Sequence, residues 1–214
     1  MRNPFRRKNL DGRFLPAVLA ALVLLAWAEP SPRSLAIGAP LVALGLLVRT
    51  WAVGHLVKTE RFTVTGPYAY VRHPLYLGTL AIGIGTAAML GGWPGWLGVA
   101  VVATWFAASY LPRKERVETE RLMARHGDVY ARYRREVPAL VPRLRAWRPD
   151  AARDLRIEHP TAECAKRDED PSRMAGVEEP TRWRLERFDA NNELGTVIAV
   201  SAAVLAVGLR ASIG

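Results

Sequence analysis

Apolar residues in this chain are gathered into five blocks, 14–28, 35–56, 75–90, 93–111 and 194–213, and the charged residues lie almost entirely between them. Half of the residues (50%) are hydrophobic, yet the mean hydropathy is near zero, because a basic remainder offsets the blocks. This segregation is a membrane pattern. A spanning helix needs about 20 apolar residues to cross a hydrocarbon core of roughly 30 Å. Blocks 35–56, 93–111 and 194–213 reach that length. Blocks 14–28 and 75–90 are short, a difference that tilt or anchoring Trp and Arg residues can absorb. The expected fold is all-α and polytopic, with about five transmembrane helices and a cytoplasmic cap helix. Four regions follow: a basic segment and first helix over 1–34, a core over 35–142, a charged tail or linker over 143–193, and a C-terminal helix over 194–214.

The net charge of +10 is distributed unevenly. Lys and Arg lie in 1–13, 58–72 and 113–187, whereas the short turns 29–34 and 91–94 hold only Arg33. By the positive-inside rule the N-terminus, the segment 61–78 and the tail face the cytoplasm, and the two turns face outside. An inner or plasma membrane location follows. Anionic lipid heads account for most of the basic charge, and no recognition module supports nucleic-acid binding. The N-terminal block, preceded by Arg2, Arg6, Arg7 and Lys8 and ending in small residues, is expected to be an uncleaved span, although a cleavable signal peptide has the same pattern.

Several chemistries lack their residues. The histidines His55, His73, His126 and His159 have neither the spacing nor the Cys partners of a zinc site, so no metal is expected. Cys164 stands alone, which leaves no disulfide framework. No Gly-x-Ser-x-Gly elbow is present, and the triplet at Gly83 follows no strand, so it is no dinucleotide fingerprint. In the block 75–90, Gly78, Ala81, Gly83 and Gly85 leave small surfaces, and Ala81 with Gly85 forms a small-xxx-small pair expected to pack against a neighbouring helix. Arg49 lies about two turns from the cytoplasmic end of its block and is expected to snorkel to the interface.

The seam 61–78 reads RFTVTGPYAYVRHPLYLG. Gly66 and Pro67 signal a turn, and Pro74 suits the first turn of a helix, where a missing N–H costs nothing. His73 therefore stands at a helix entrance. Tyr68, Tyr70, Arg72, His73 and Tyr76 bring polar atoms to the place where the chain enters lipid, which marks a functional site. Beyond block 93–111 the sequence 113–135 reads as a charged helix, with Glu118 in its first two turns, close to the seam. An ordinary surface pair with Arg121 or Lys114 is the plain alternative for that residue. A Pro-bounded extended segment, 137–142, follows.

Gly66, Pro67, Tyr68, Arg72, His73, Pro74, Tyr76 and Gly78 form one block, and Glu118, Leu122, Gly127, Tyr130, Tyr133, Val137, Pro138 and Pro142 a second. Together, in this order, they resemble the signature of the isoprenylcysteine carboxyl methyltransferase and phospholipid methyltransferase superfamily, over about 35–142. The resemblance implies S-adenosylmethionine as cofactor and a membrane lipid or lipidated acceptor as partner. It implies that Tyr68 and His73 contact the cofactor, that Glu118 is the acidic residue of the second block, and that Arg61, Phe62 and Thr63 line the pocket. The family often has a second glutamate next to the first; here Thr119 stands there and Glu120 one farther on. A carboxylate acceptor such as prenylcysteine needs a cation to position it, and Arg116 or Lys114 is suited to this. An amine acceptor needs a base, His73 or Glu118. Membrane sterol reductases share an Arg-His-Pro-x-Tyr-x-Gly block, but an acid usually follows their glycine, and Thr79 follows it here.

Overall fold

The computed structural model describes residues 15–56, 63–148, 183–184 and 193–213. Among them all regular structure is helical. The helices are α1 (Leu15–Ala26), α2 (Pro32–His55), α3 (Pro74–Met89), α4 (Gly92–Trp105), α5 (Leu111–Glu136) and α6 (Glu193–Ile213), with a 3-10 turn at Gly66–Ala69. By length and composition three helices can cross a membrane, Pro32–His55, Gly92–Ala124 and Glu193–Ser212, the same three that the block lengths single out. α3 has 16 residues and is shorter.

α2 opens with a reciprocal cap. Ser34 N–H donates to the Ser31 hydroxyl and Ser31 N–H to the Ser34 hydroxyl, with Pro32 in the first turn. Such a cap satisfies donors that the helix itself cannot. α2 and α3 then cross antiparallel on glycine. A Cβ added at Gly85 would stand 2.7 Å from the Gly38 carbonyl oxygen, and one at Gly45 would stand 2.7 Å from that of Gly78. In lipid, where neighbouring helices gain no hydrophobic driving force, such close approach is what holds a pair together. The packing face includes Gly85 of the expected Ala81–Gly85 pair and adds Gly78, two turns away; Ala81 is partly buried. Gly83 turns toward Val102 of α4.

The two turns at one end of the bundle meet. Glu29 N–H donates to Leu90 O at 2.9 Å, and the Trp27 and Trp93 rings pack edge to face at 5.7 Å. Gly91 sits at φ 66°, and a side chain there would run into the Glu29 carbonyl. Below the turns, Ala28, Val42, Met89 and Leu90 form an apolar cluster with Val200 and Val207 of α6.

The expected cap helix does not start afresh after the fourth span. α4 continues through a π-helical turn, Phe106–Tyr110, into α5, so that one rod leads from lipid to the polar layer. Pro112 follows the π turn directly, where the hydrogen-bond ladder is already re-registered, so its missing N–H does not end the helix. The break comes later, at Gly127, with φ 45° and ψ −124°. A backbone of that kind is open essentially to glycine alone. It turns the last stretch of α5 back so that Val129, Tyr130 and Tyr133 pack with Val64, Val137 and Trp147 in a second core.

Candidate functional site

The seam is held by main-chain pairing with the segment that follows α5. Arg72 N–H donates to Pro138 O (2.9 Å), His73 N–H to Ala139 O (3.1 Å), Arg143 N–H to Tyr70 O (3.0 Å) and Trp147 N–H to Ala69 O (2.8 Å). Arg72 adds two side-chain ties, Nε to Val137 O and Nη1 to Glu115, each 2.8 Å. The buried Tyr133 hydroxyl donates to Tyr68 O at 2.7 Å. The two motif blocks are thus knitted into one unit.

Within this frame His73 precedes α3 and is buried, 7% exposed. Its Nδ1 lies 3.3 Å from Glu118 Oε2, and the Tyr76 hydroxyl donates to Glu118 Oε1. Glu118 is therefore a member of the seam and not the ordinary surface pair with Arg121 or Lys114. His73 and Tyr76 thus both engage the Glu118 carboxylate.

Rings line the same place. His73 stacks on Tyr76 (5.2 Å), Tyr76 meets Tyr110 edge-on (5.5 Å), and Tyr110 lies beside Phe106 (5.3 Å) and Trp105 (5.2 Å). Both Tyr110 and Phe106 come from the π turn. Two buried polar atoms here have no hydrogen-bond partner among the described residues, Tyr68 Oη and His73 Nε2. Leaving a buried donor or acceptor unmet costs about 1–3 kcal/mol, so a water or a ligand is required to meet them. Burial, reinforced by the Glu118 charge, pushes the Tyr68 phenol far above its ordinary value and keeps it neutral.

The other sequence-derived residues are placed unequally. Arg61 and Phe62 lie outside the described residues, and Thr63 is partly buried at the start of the described seam. Lys114 is exposed, with Nζ 6.0 Å from the Tyr110 ring centre, and Arg116 is exposed on α5. Thr119 Oγ1 lies 3.4 Å from the Tyr130 hydroxyl, and Glu120 points outward.

Sequence reasoning missed two participants. Tyr76 was visible in the first motif block but was given no role. Arg49 does not snorkel. It is mostly buried and makes a two-pronged ion pair with Glu193 at the start of α6, Nε to Oε1 at 2.5 Å and Nη2 to Oε2 at 2.9 Å, while Nη1 reaches Thr79 Oγ1 at 2.5 Å and Leu75 O at 3.3 Å. The signal was a lone cation inside an apolar block, which by default marks function.

Comparison with known proteins gives a consistent picture. Residues 38–124 match the isoprenylcysteine carboxyl methyltransferase (ICMT) family. The cobalt-zinc-cadmium resistance protein CzcN of Cupriavidus metallidurans is 35% identical over 127 residues, 56% of this chain and 55% of that protein. The protein-S-isoprenylcysteine O-methyltransferase of Schizosaccharomyces pombe is 34% identical over 95 residues, 41% of this chain and 38% of that protein. The chain thus spans about half, or less, of the length of these relatives. No solved structure matches it significantly. The family match and the Schizosaccharomyces pombe relative place the likeness of segment 38–124, which carries Arg49, Tyr68, His73, Tyr76 and Glu118, with the isoprenylcysteine carboxyl methyltransferase family.

Proposed function

We propose that this protein is a membrane-embedded methyltransferase that uses S-adenosylmethionine and methylates the carboxylate of a lipidic acceptor of the prenylcysteine kind. The observation that carries the reading is the contact of His73 with Glu118 beside the two unpartnered buried atoms, Tyr68 Oη and His73 Nε2. These groups fit the cofactor's chemistry. An ionised Glu118 can take its ammonium or a ribose hydroxyl, the rings of Tyr76 and Tyr110 can face its sulfonium, and Tyr68 and His73 offer hydrogen bonds to its polar edge. When bound, S-adenosylmethionine supplies an activated methyl group.

The residues described then need to do little beyond orientation. Approximation and exclusion of water can supply roughly 7–11 kcal/mol in favourable cases. A carboxylate acceptor is already ionised at neutral pH and asks for no base, which suits a site whose one acid is itself engaged by two donors. The family likeness supports the same acceptor class.

The test is incubation of membranes containing the protein with S-adenosylmethionine labelled in the methyl group, in the presence of N-acetyl-S-farnesylcysteine. A base-labile methyl ester is the expected product. Stable N-methyl label in phosphatidylethanolamine, with no ester, would overturn the carboxylate reading, and no transfer to either would overturn the methyltransferase reading.

A further inference from the structure

Arg49 is a cation inside an apolar span, and a buried ion pair is a poor way to stabilise a helix pair. Removing both charges from water costs several kcal/mol per ion, and apolar replacements of similar volume are often neutral or better. The pair therefore calls for a reason other than stability. Its surroundings supply one. Arg49 lies across α3 against Gly78, where a Cβ would stand 2.5 Å from Arg49 Cγ, and it bonds to Thr79 and Leu75. Those residues flank Tyr76, the residue that donates to Glu118. The guanidinium thus lies within one helical turn of Tyr76 along α3.

Its occupant is also unusual. Glu193 is the first residue of α6, is 3% exposed, and accepts with both carboxylate oxygens along the Nε–Nη2 edge of the guanidinium. Of the three helices long enough to span a membrane, α6 is the least buried, and its apolar contacts centre on Val200 and Val207. A fork filled by a carboxylate from the least embedded helix is a fork shaped for a carboxylate. Lys114 and Arg116, by contrast, are exposed.

We propose that Arg49 is the binding group for the acceptor's carboxylate, and that Glu193 occupies it in the resting protein and is displaced when a prenylated carboxylate enters from the lipid side between α6 and the α2–α3 pair. The proposal deepens the carboxylate reading given above and rests on it for the identity of the acceptor. In it Arg49 positions the acceptor beside Tyr76, and Glu193 acts as a tethered competitor that keeps the guanidinium paired while no acceptor is present.

The test uses the full chain in nanodiscs and two readouts, binding of N-acetyl-S-farnesylcysteine against its carboxamide without methyl donor, and methyl transfer with it. Wild type is expected to bind the acid at least tenfold tighter than the amide. The double variant Arg49→Met/Glu193→Met, which removes the pair without leaving a lone charge, should unfold within a few degrees of wild type but lose the preference for the acid. Glu193→Gln, which weakens the competitor and leaves Arg49 in place, should bind the acid several-fold tighter. Retention of the acid preference by the double variant, or weaker acid binding by Glu193→Gln in protein that still binds the donor normally, would overturn the proposal. Acid preference abolished in the double variant, with no methyl transfer by wild type, would support this site and overturn the methyltransferase reading instead.

Discussion

His73 answers two demands with one ring. If Nδ1 donates to Glu118, the Nε2 of a neutral ring remains as an acceptor in a buried space where no protein group meets it. His73→Ala and Glu118→Gln should each weaken S-adenosylmethionine binding by about 1–3 kcal/mol, the cost of an unmet buried partner. If both act on one ligand, as proposed, the double variant should lose less than the sum, and calorimetric titration of the four proteins checks this. Strict additivity would place them in separate sites.

Among the elements, the α2–α3 crossing is the one with least room. Gly85→Val puts branched bulk against the Gly38 carbonyl and Val42, and overpacking of this kind costs about 1–3 kcal/mol. Thermal unfolding in detergent should show it, whereas Gly208→Ala, with nothing within 4 Å inside α6, should leave the midpoint unchanged or raise it. Gly127→Ala also has open space, yet its backbone at φ 45° and ψ −124° should make it destabilising by about 1–3 kcal/mol through strain alone. Wild-type stability of Gly127→Ala would show that the turn in α5 relaxes without cost. These elements were legible in the sequence to different depths. Apolar blocks gave the helices and their lengths, since hydrophobicity is local. The glycine face of α3 was half visible: small residues were evident, but which of them faced α2 depends on helix rotation, and a block apolar all round carries no phase. The turn at Gly127 was invisible, because a single glycine in a charged helix has the same appearance whether or not the backbone bends. His73 and Glu118 could be assigned to one membrane face from block order, but the Arg49–Glu193 pair joins residues 144 apart in sequence through a helix with no motif of its own.

For the molecule as a whole, the paired turns at Glu29 and Leu90 define one end, and the seam with the second core defines the other. From the charge distribution we propose that the seam end faces the cytoplasm. In a Cys164→Ser background, Arg33→Cys should react with an impermeant thiol reagent in intact cells and Ala146→Cys only after permeabilisation. The reverse pattern would invert the protein in the membrane.

The shortness of α3 has a consequence for how the two reactants of such an enzyme would meet. Sixteen residues rise about 24 Å, less than the roughly 30 Å of a bilayer's hydrocarbon layer. Its far end is pinned to the outer turns, where the Ser34 hydroxyl lies 3.2 Å from Met89 O. With the outer turns at one water boundary, the other end, with His73, would stop several ångströms short of the opposite one, while the neighbouring α4–α5 rod runs on past it. In the proposed enzyme the site would then be recessed below the waterline: a greasy acceptor would dock without being lifted out of its leaflet, and the water-soluble donor would have to make the descent.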